Sequence, residues 1–151
     1  GRDRGPGVAD LRQSVLVADP DVRGRLWVVD SLREGFSVSI PGPGETPLRA
    51  VRRLHPDAVL LAVPRGRSSE AERACRLLKT DSSIPPMVGL LDQWGRIRRP
   101  ERALSSALAD GYIGGRIEAA ELVAFTTALL AGKRPVLIHK PPPGLLRRFL
   151  R

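Results

Sequence analysis

The run DAVLLAV (57–63) constrains this chain more than any other feature. A strand with one wet face alternates apolar and polar residues. This run does not alternate, so both of its faces are expected to be covered. Strands of that kind sit in the middle of parallel sheets with helices on either side. SVLVA (14–18) and MVGLL (87–91) have the same character, and the weaker FSVSI (36–40) and GYIGG (111–115) bring the number of strand-like runs to five.

Helical patterns separate these runs. Val22, Leu26, Val29 and Leu32 recur at helical spacing, and Gly35 suits the position just past a helix end. Thr46-Pro47 reads as a helix start, with Leu48, Val51 and Leu54 on the buried face and His55-Pro56 as the stop. Ser69 and Glu72 have the spacing of a capping box for a helix whose apolar face holds Ala71, Ala74, Cys75 and Leu78. A helix around Glu101–Ala109 follows the basic stretch DQWGRIRRP. A last one spans Glu118–Ala131, with Leu122, Phe125 or Thr126, and Leu129 inward and Gly132 as terminator. Five strands alternating with five helices through short connections predict a (βα)₅ parallel sheet with helices on both faces and right-handed crossovers.

Charge and composition narrow the function. Of the formal net charge of +9, residues 133–151 contribute six cations and no acid, and residues 1–13 contribute +1, which leaves +2 for residues 14–132. The basicity therefore lies in a tail. A duplex-binding domain carries its positive charge on the folded face, so nucleic acid is a disfavoured partner for the body. One cysteine and two histidines cannot supply a four-ligand zinc site or an internal disulfide. No run approaches the length of a membrane span, and GRDRGPGVAD has no apolar secretory core, so a cytoplasmic location is expected. His55 and His139 form no arrangement with a nucleophile and an acid, Cys75 reads as core, and Gly111, Gly114 and Gly115 spell no phosphate-binding loop.

Four phrases, in order, carry a resemblance: VLVADPD at the first strand, PDAVLLAV at the third, ACRLLKTDSSIPPMVGLL across the third helix and fourth strand, and ADGYIGG at the fifth. Over residues 14–131 the chain resembles bacterial response-regulator receiver domains. The resemblance implies a flavodoxin-like doubly wound sheet of order 2-1-3-4-5, with its crevice at the carboxyl ends of the strands. In working receivers that crevice holds two acids after strand one, a phospho-accepting Asp ending strand three, a hydroxyl ending strand four and a Lys ending strand five. Here Asp19 matches the first acid, but Pro20 replaces the second. Ala62 stands at the acceptor, Leu91 at the hydroxyl and Gly115 at the Lys. A methyl group neither attacks a phosphoryl donor nor ligates Mg²⁺. Asp92 lies one residue past Leu91, and that shift turns a strand side chain to the other face. The chain thus resembles a pseudo-receiver without aspartyl-phosphate chemistry, catalytic residues, metal or cofactor.

What remains is contact. The expected role is a phosphorylation-independent interaction or localisation adaptor for signalling proteins, with homodimerisation as a further expectation. The resemblance places its docking face on the fourth helix, fifth strand and fifth helix, about residues 101–131, where Tyr112 holds the family's switch-aromatic position. Trp94, Arg98 and Arg102 in the loop 93–102 form a second partner-binding candidate, or an arginine grip for a nucleotide. Beyond the domain assigned to 14–132, PVLIH (135–139) is apolar enough to pack on the body or add an edge segment. Pro141–Pro143 is a stiff spacer. In GLLRRFLR, Leu145, Leu146, Phe149 and Leu150 fall on one side of a helical wheel, with Arg147, Arg148 and Arg151 on the other. That split suits a partner groove or weak contact with an anionic membrane surface; a plain linker and a nucleic-acid-associated tail stay open.

Overall fold

A computed structural model describes residues 11–133 and 135–140. The elements alternate as anticipated: β1 (Ser14–Ala18), α1 (Val22–Leu32), β2 (Ser37–Ser39), α2 (Pro47–Leu54), β3 (Ala58–Ala62), α3 (Ser68–Asp81), β4 (Met87–Asp92), α4 (Pro100–Ala107), β5 (Gly111–Gly114) and α5 (Ala119–Leu130). A further strand, β6 (Val136–His139), follows. All pairings are parallel, and the order is β2-β1-β3-β4-β5-β6. β1 and β3 are central neighbours, with Val15 opposite Ala58 and Ala18 opposite Leu61.

The continuous apolar runs are explained by two core layers. One face packs Leu16, Val59, Leu61, Val88, Leu90 and Tyr112 against α2, α3 and α4. The other packs Val15, Val17, Leu60, Leu91 and Ile113 against α1 and α5, where Val28, Leu32, Leu122, Phe125 and Leu129 meet them. Cys75 is fully buried in the first layer, and that burial pushes its thiol up to about 12, as befits a core residue.

Three local expectations are corrected. The buried face of α1 is Gly24, Val28 and Leu32, while Val22 and Leu26 point outward, Leu26 at 62% exposure. A glycine carries no hydrophobic signal, yet here it sets the helix phase: a Cβ on Gly24 would lie 2.5 Å from Asp19 Oδ2. Secondly, α3 begins at Ser68 with Arg67 as its N-cap and no side-chain cap, so Ser69–Glu72 is not a capping box. The reach-back occurs at α5 instead, where the Glu118 N–H donates to Glu121 Oε1 at 2.9 Å. Thirdly, the sheet has six strands and continues past residue 132. The apolar residues of PVLIH add an edge strand, with Tyr112 opposite Leu137 and Gly114 opposite His139. His55, by contrast, ends α2 as expected, in a left-handed conformation with its N–H on the Val51 carbonyl.

Candidate functional site

The strand order reverses between β1 and β3, so the crevice opens at their carboxyl ends. Asp19, Pro20, Asp21, Ala62, Leu91, Trp27, Trp94 and Ile117 are among the residues that line a hollow of about 320 Å³ there. Ala62 is paired in register with Leu91, and Leu91 belongs to the core layer of α1 and α5. The structure therefore brings the acceptor and hydroxyl positions side by side, but with a methyl and an isobutyl group.

The two remaining acids are occupied with backbone. Asp19 Oδ1 accepts from the Asp21 N–H at 2.9 Å, and Asp21 Oδ2 accepts from Gly24 N at 3.1 Å as the N-cap of α1. Partial burial raises the Asp19 carboxyl above its ordinary value, the Asp21 N–H opposing that rise. A carboxylate gathered for Mg²⁺ would sit among other oxygen ligands. Among the described residues no three His, Cys, Asp or Glu side chains converge on one point.

Asp92 points to the opposite face of the sheet from Leu91. It is fully buried and accepts three hydrogen bonds: Arg96 N and Ile97 N at 2.8 Å each, and the Tyr112 hydroxyl at 2.6 Å. This carboxylate folds the β4–α4 loop and holds the aromatic ring inward. Gly114 helps, because a Cβ there would collide with the Tyr112 ring and hydroxyl. Burial, reinforced by the Asp92 bond, pushes the Tyr112 phenol well above its ordinary value, so the hydroxyl is held as a donor. Tyr112 presents no surface, which removes it from the partner-binding candidates.

At the Lys position, Gly115 has φ +88° and a Cβ would come within 2.8 Å of the Lys140 carbonyl. The chain leaving β6 passes directly over it. Lys140 Nζ pairs with Glu121 at 2.6 Å, and His139 meets the Tyr112 ring edge-on at 6.1 Å. β6 thus covers the edge of β5 and packs beside α4 and α5, so the docking face expected on α4, β5 and α5 is closed at its strand by the chain itself. The Lys140 ammonium, as the largest cause, holds the Glu121 carboxyl below its ordinary 4.5. A depressed carboxylate stabilises the fold above its unfolded value and loses that contribution as pH falls through the folded value. We therefore expect β6 amides to lose hydrogen-exchange protection as pH falls below the ordinary 4.5 of Glu121, ahead of β1 and β3, with Glu121→Gln showing the weaker protection at pH 7 as well.

The loop 93–102 does not form one patch. Trp94, 52% exposed, stacks under the Arg65 guanidinium, 5.0 Å from its ring centroid, and borders the crevice. Arg98 and Arg102 instead line a separate shallow hollow with Arg96, Arg99 and Glu72. Trp27 also lines the crevice; sequence reasoning missed it because it faces neither core layer and has no periodic signature. Leu145, Leu146, Phe149 and Leu150 lie outside the described residues.

A parallel sheet with this order and switch point defines the class of fold: a doubly wound, flavodoxin-like sheet. No family model matches the chain. Over 76 residues it is 38% identical to the DNA-binding response regulator MtrA of Mycobacterium tuberculosis and to MtrA of Mycobacterium leprae. Each match covers 50% of this chain and 33% of the relative, so the chain spans about a third of their length. Among solved structures, a response-regulator chain from Chloroflexus aurantiacus superposes with a TM-score of 0.67 at 23% identity, covering 80% of this chain and 98% of that one. NtrX from Brucella abortus gives 0.67 at 19% identity, covering 93% and 29%. The chain thus has the fold of the receiver domains among its structural neighbours, and over half its length it is similar in sequence to response regulators. No helix among the described residues is long and apolar enough to cross a membrane.

Proposed function

We propose that this domain is a pseudo-receiver: a cytoplasmic adaptor that acts by protein–protein contact in bacterial signalling and makes or breaks no bond. One observation carries the reading. The residue paired with Leu91 at the end of β3 is Ala62, so the crevice holds no nucleophile where the family's acceptor stands. The surroundings agree, since Leu91 offers no hydroxyl and Gly115 no ammonium to a phosphoryl group. Nor does Tyr112 need a phosphate signal to turn inward, because Asp92 already holds it there. With β5 covered by β6, contact falls to other surfaces. On the α1 side Val22, Leu26 and Trp27 are exposed, and the outer face of α5 is Ala120, Val123, Ala124 and Thr127, without a charge. Signalling proteins are the partners this reading implies.

Incubation with a small phosphodonor and Mg²⁺ should leave the intact mass and the backbone amide spectrum unchanged. Ala62→Asp alone should give no stable phospho-form either, because Leu91 and Gly115 still lack the hydroxyl and the ammonium. An acid-labile phosphoryl adduct on any Asp of the unaltered chain would overturn the proposal.

A further inference from the structure

The shallow hollow beside the β4–α4 loop gathers unpaired charge of one sign. It measures about 360 Å³, at the small end of the size range of clefts that take ligands, and lies between that loop, α3 and α4. Arg96 and Arg98 come from the loop and Arg99 and Arg102 from the start of α4, while Glu72 of α3 is the one acid in the lining. Arg76 of α3 reaches the Ser106 carbonyl at the edge, 3.5 Å away, and Glu101 of α4 is not in the lining. Among the described residues, none of the four lining guanidinium groups makes an ion pair or a hydrogen bond, and Glu72 pairs with none of them. Several cations elsewhere have taken partners: Arg53 holds Glu45, Lys79 holds Asp110 and Lys140 holds Glu121.

This arrangement works against the stability of the fold. Arg99 is the N-cap of α4 and Arg102 lies in its first turn, where the helix dipole disfavours cations, and no side chain caps that end. The backbone carrying Arg96 and Arg98 is nevertheless fixed, because the Asp92 carboxylate accepts from Arg96 N and Ile97 N at 2.8 Å each and Ile97 is buried. Four like charges on a held backbone make a positive field that an anion relieves. The size of the hollow decides which anion. Taken as a cube, it is roughly 7 Å on a side, which is about the spacing of two same-face carboxylates on an extended peptide. An acidic peptide therefore sets too few charges in it. A duplex needs a wider basic surface, and residues 14–132 carry only +2 in all. Two or three linked phosphates concentrate roughly three or four charges within that span, and their oxygens suit the guanidinium fork. No aromatic ring lines the hollow, since Trp94 borders the crevice instead, so nothing here stacks on a base. We propose that this hollow binds the phosphate chain of a soluble polyphosphate, free or carried by a nucleoside, through Arg96, Arg98, Arg99 and Arg102.

Tripolyphosphate titrated into the full chain at low salt should shift the amides of residues 96–106 and leave those of β1 and β3 in place. ATP and GTP should shift the same amides with affinities within about threefold of each other and no tighter than tripolyphosphate, because the base is not read. Inorganic phosphate, with fewer charges, should leave these amides unmoved at the same concentration. Arg98→Gln with Arg102→Gln should weaken tripolyphosphate binding about tenfold, as two exposed charge contacts worth up to roughly fivefold each. Arg23→Gln with Arg49→Gln makes an equal charge change at exposed positions outside the hollow and should weaken it by less than about twofold. Glu72→Gln should strengthen it by about two- to fivefold, a gain that no folding defect imitates. The proposal is overturned if tripolyphosphate shifts none of these amides, or if the two arginine pairs weaken it equally, which leaves only diffuse attraction to a basic chain. It is equally overturned if a glutamate hexapeptide or a short DNA duplex shifts the same amides at lower concentration, which assigns the hollow to an acidic partner segment or to nucleic acid. A nucleotide that binds more than about tenfold tighter than tripolyphosphate also overturns it, since a base is then read. None of these outcomes bears on residue 62, so the pseudo-receiver reading stands or falls separately.

Discussion

Replacing Asp92 with alanine should lower the unfolding free energy by about 3–5 kcal/mol, the range for removing one partner from a buried charged network. In a domain of this size that is a fall of roughly ten degrees or more in Tm. The magnitude follows from what is orphaned. Arg96 N, Ile97 N and the Tyr112 hydroxyl each lose their acceptor, and Asp92 and Tyr112 are fully buried. Tyr112→Phe removes only the last of these bonds and should cost about 1–2 kcal/mol. The double variant should therefore be less destabilised than the sum, with a coupling energy of roughly 0.5–3 kcal/mol in urea unfolding. Amides 96 and 97 should lose hydrogen-exchange protection in Asp92→Ala and keep it in Tyr112→Phe. If Asp92→Ala unfolds like the unaltered chain, the carboxylate is not what holds the β4–α4 loop.

The uneven legibility of this molecule has a physical cause. The layered sheet was readable because β1, β3 and β4 are apolar without alternation, a pattern that only a strand covered on both faces can sustain. That Ala62 and Leu91 close β3 and β4 on the crevice side was readable too, since they sit at fixed offsets from recognisable strand ends. Interactions whose partners lie far apart in sequence were not. Asp92 could be excluded from the crevice by strand alternation, but its bond to Tyr112 depends on the β4–β5 register and on the space left at Gly114. The phase of α1 depended on Gly24, a residue that adds nothing to an apolar count. The stretch 135–139 allowed packing or an edge segment, and its choice of β5 was set by an unpaired strand edge that no local pattern reveals. Trp94 and the arginines adjoin in sequence yet face different hollows, because the loop is folded back on the Asp92 carboxylate.

A lysine at residue 115, where the pseudo-receiver reading proposed above puts the receivers' Lys position, tests how that position and β6 are linked. Gly115→Lys should destabilise the domain by about 2–4 kcal/mol, combining a strained left-handed backbone with a steric collision. Gly115 sits at φ +88°, where side chains are disfavoured, and its Cβ would press on the Lys140 carbonyl, a backbone atom that cannot rotate away. Relief requires the end of β6 to move, which breaks the Lys140–Glu121 pair and draws His139 from the Tyr112 ring. Amides 137–140 should accordingly exchange faster while β1 and β3 keep their protection, as local opening allows. Gly115→Ala should show most of the same effect, because the collision begins at Cβ and not at the ammonium. If Gly115→Lys leaves β6 protected and costs under about 1 kcal/mol, backbone strain alone accounts for it, and β6 does not press on residue 115. If β6 is displaced, a working lysine and a sixth strand exclude one another here, so the strand that closes the β5 edge also bars the phosphoryl-binding ammonium from its place.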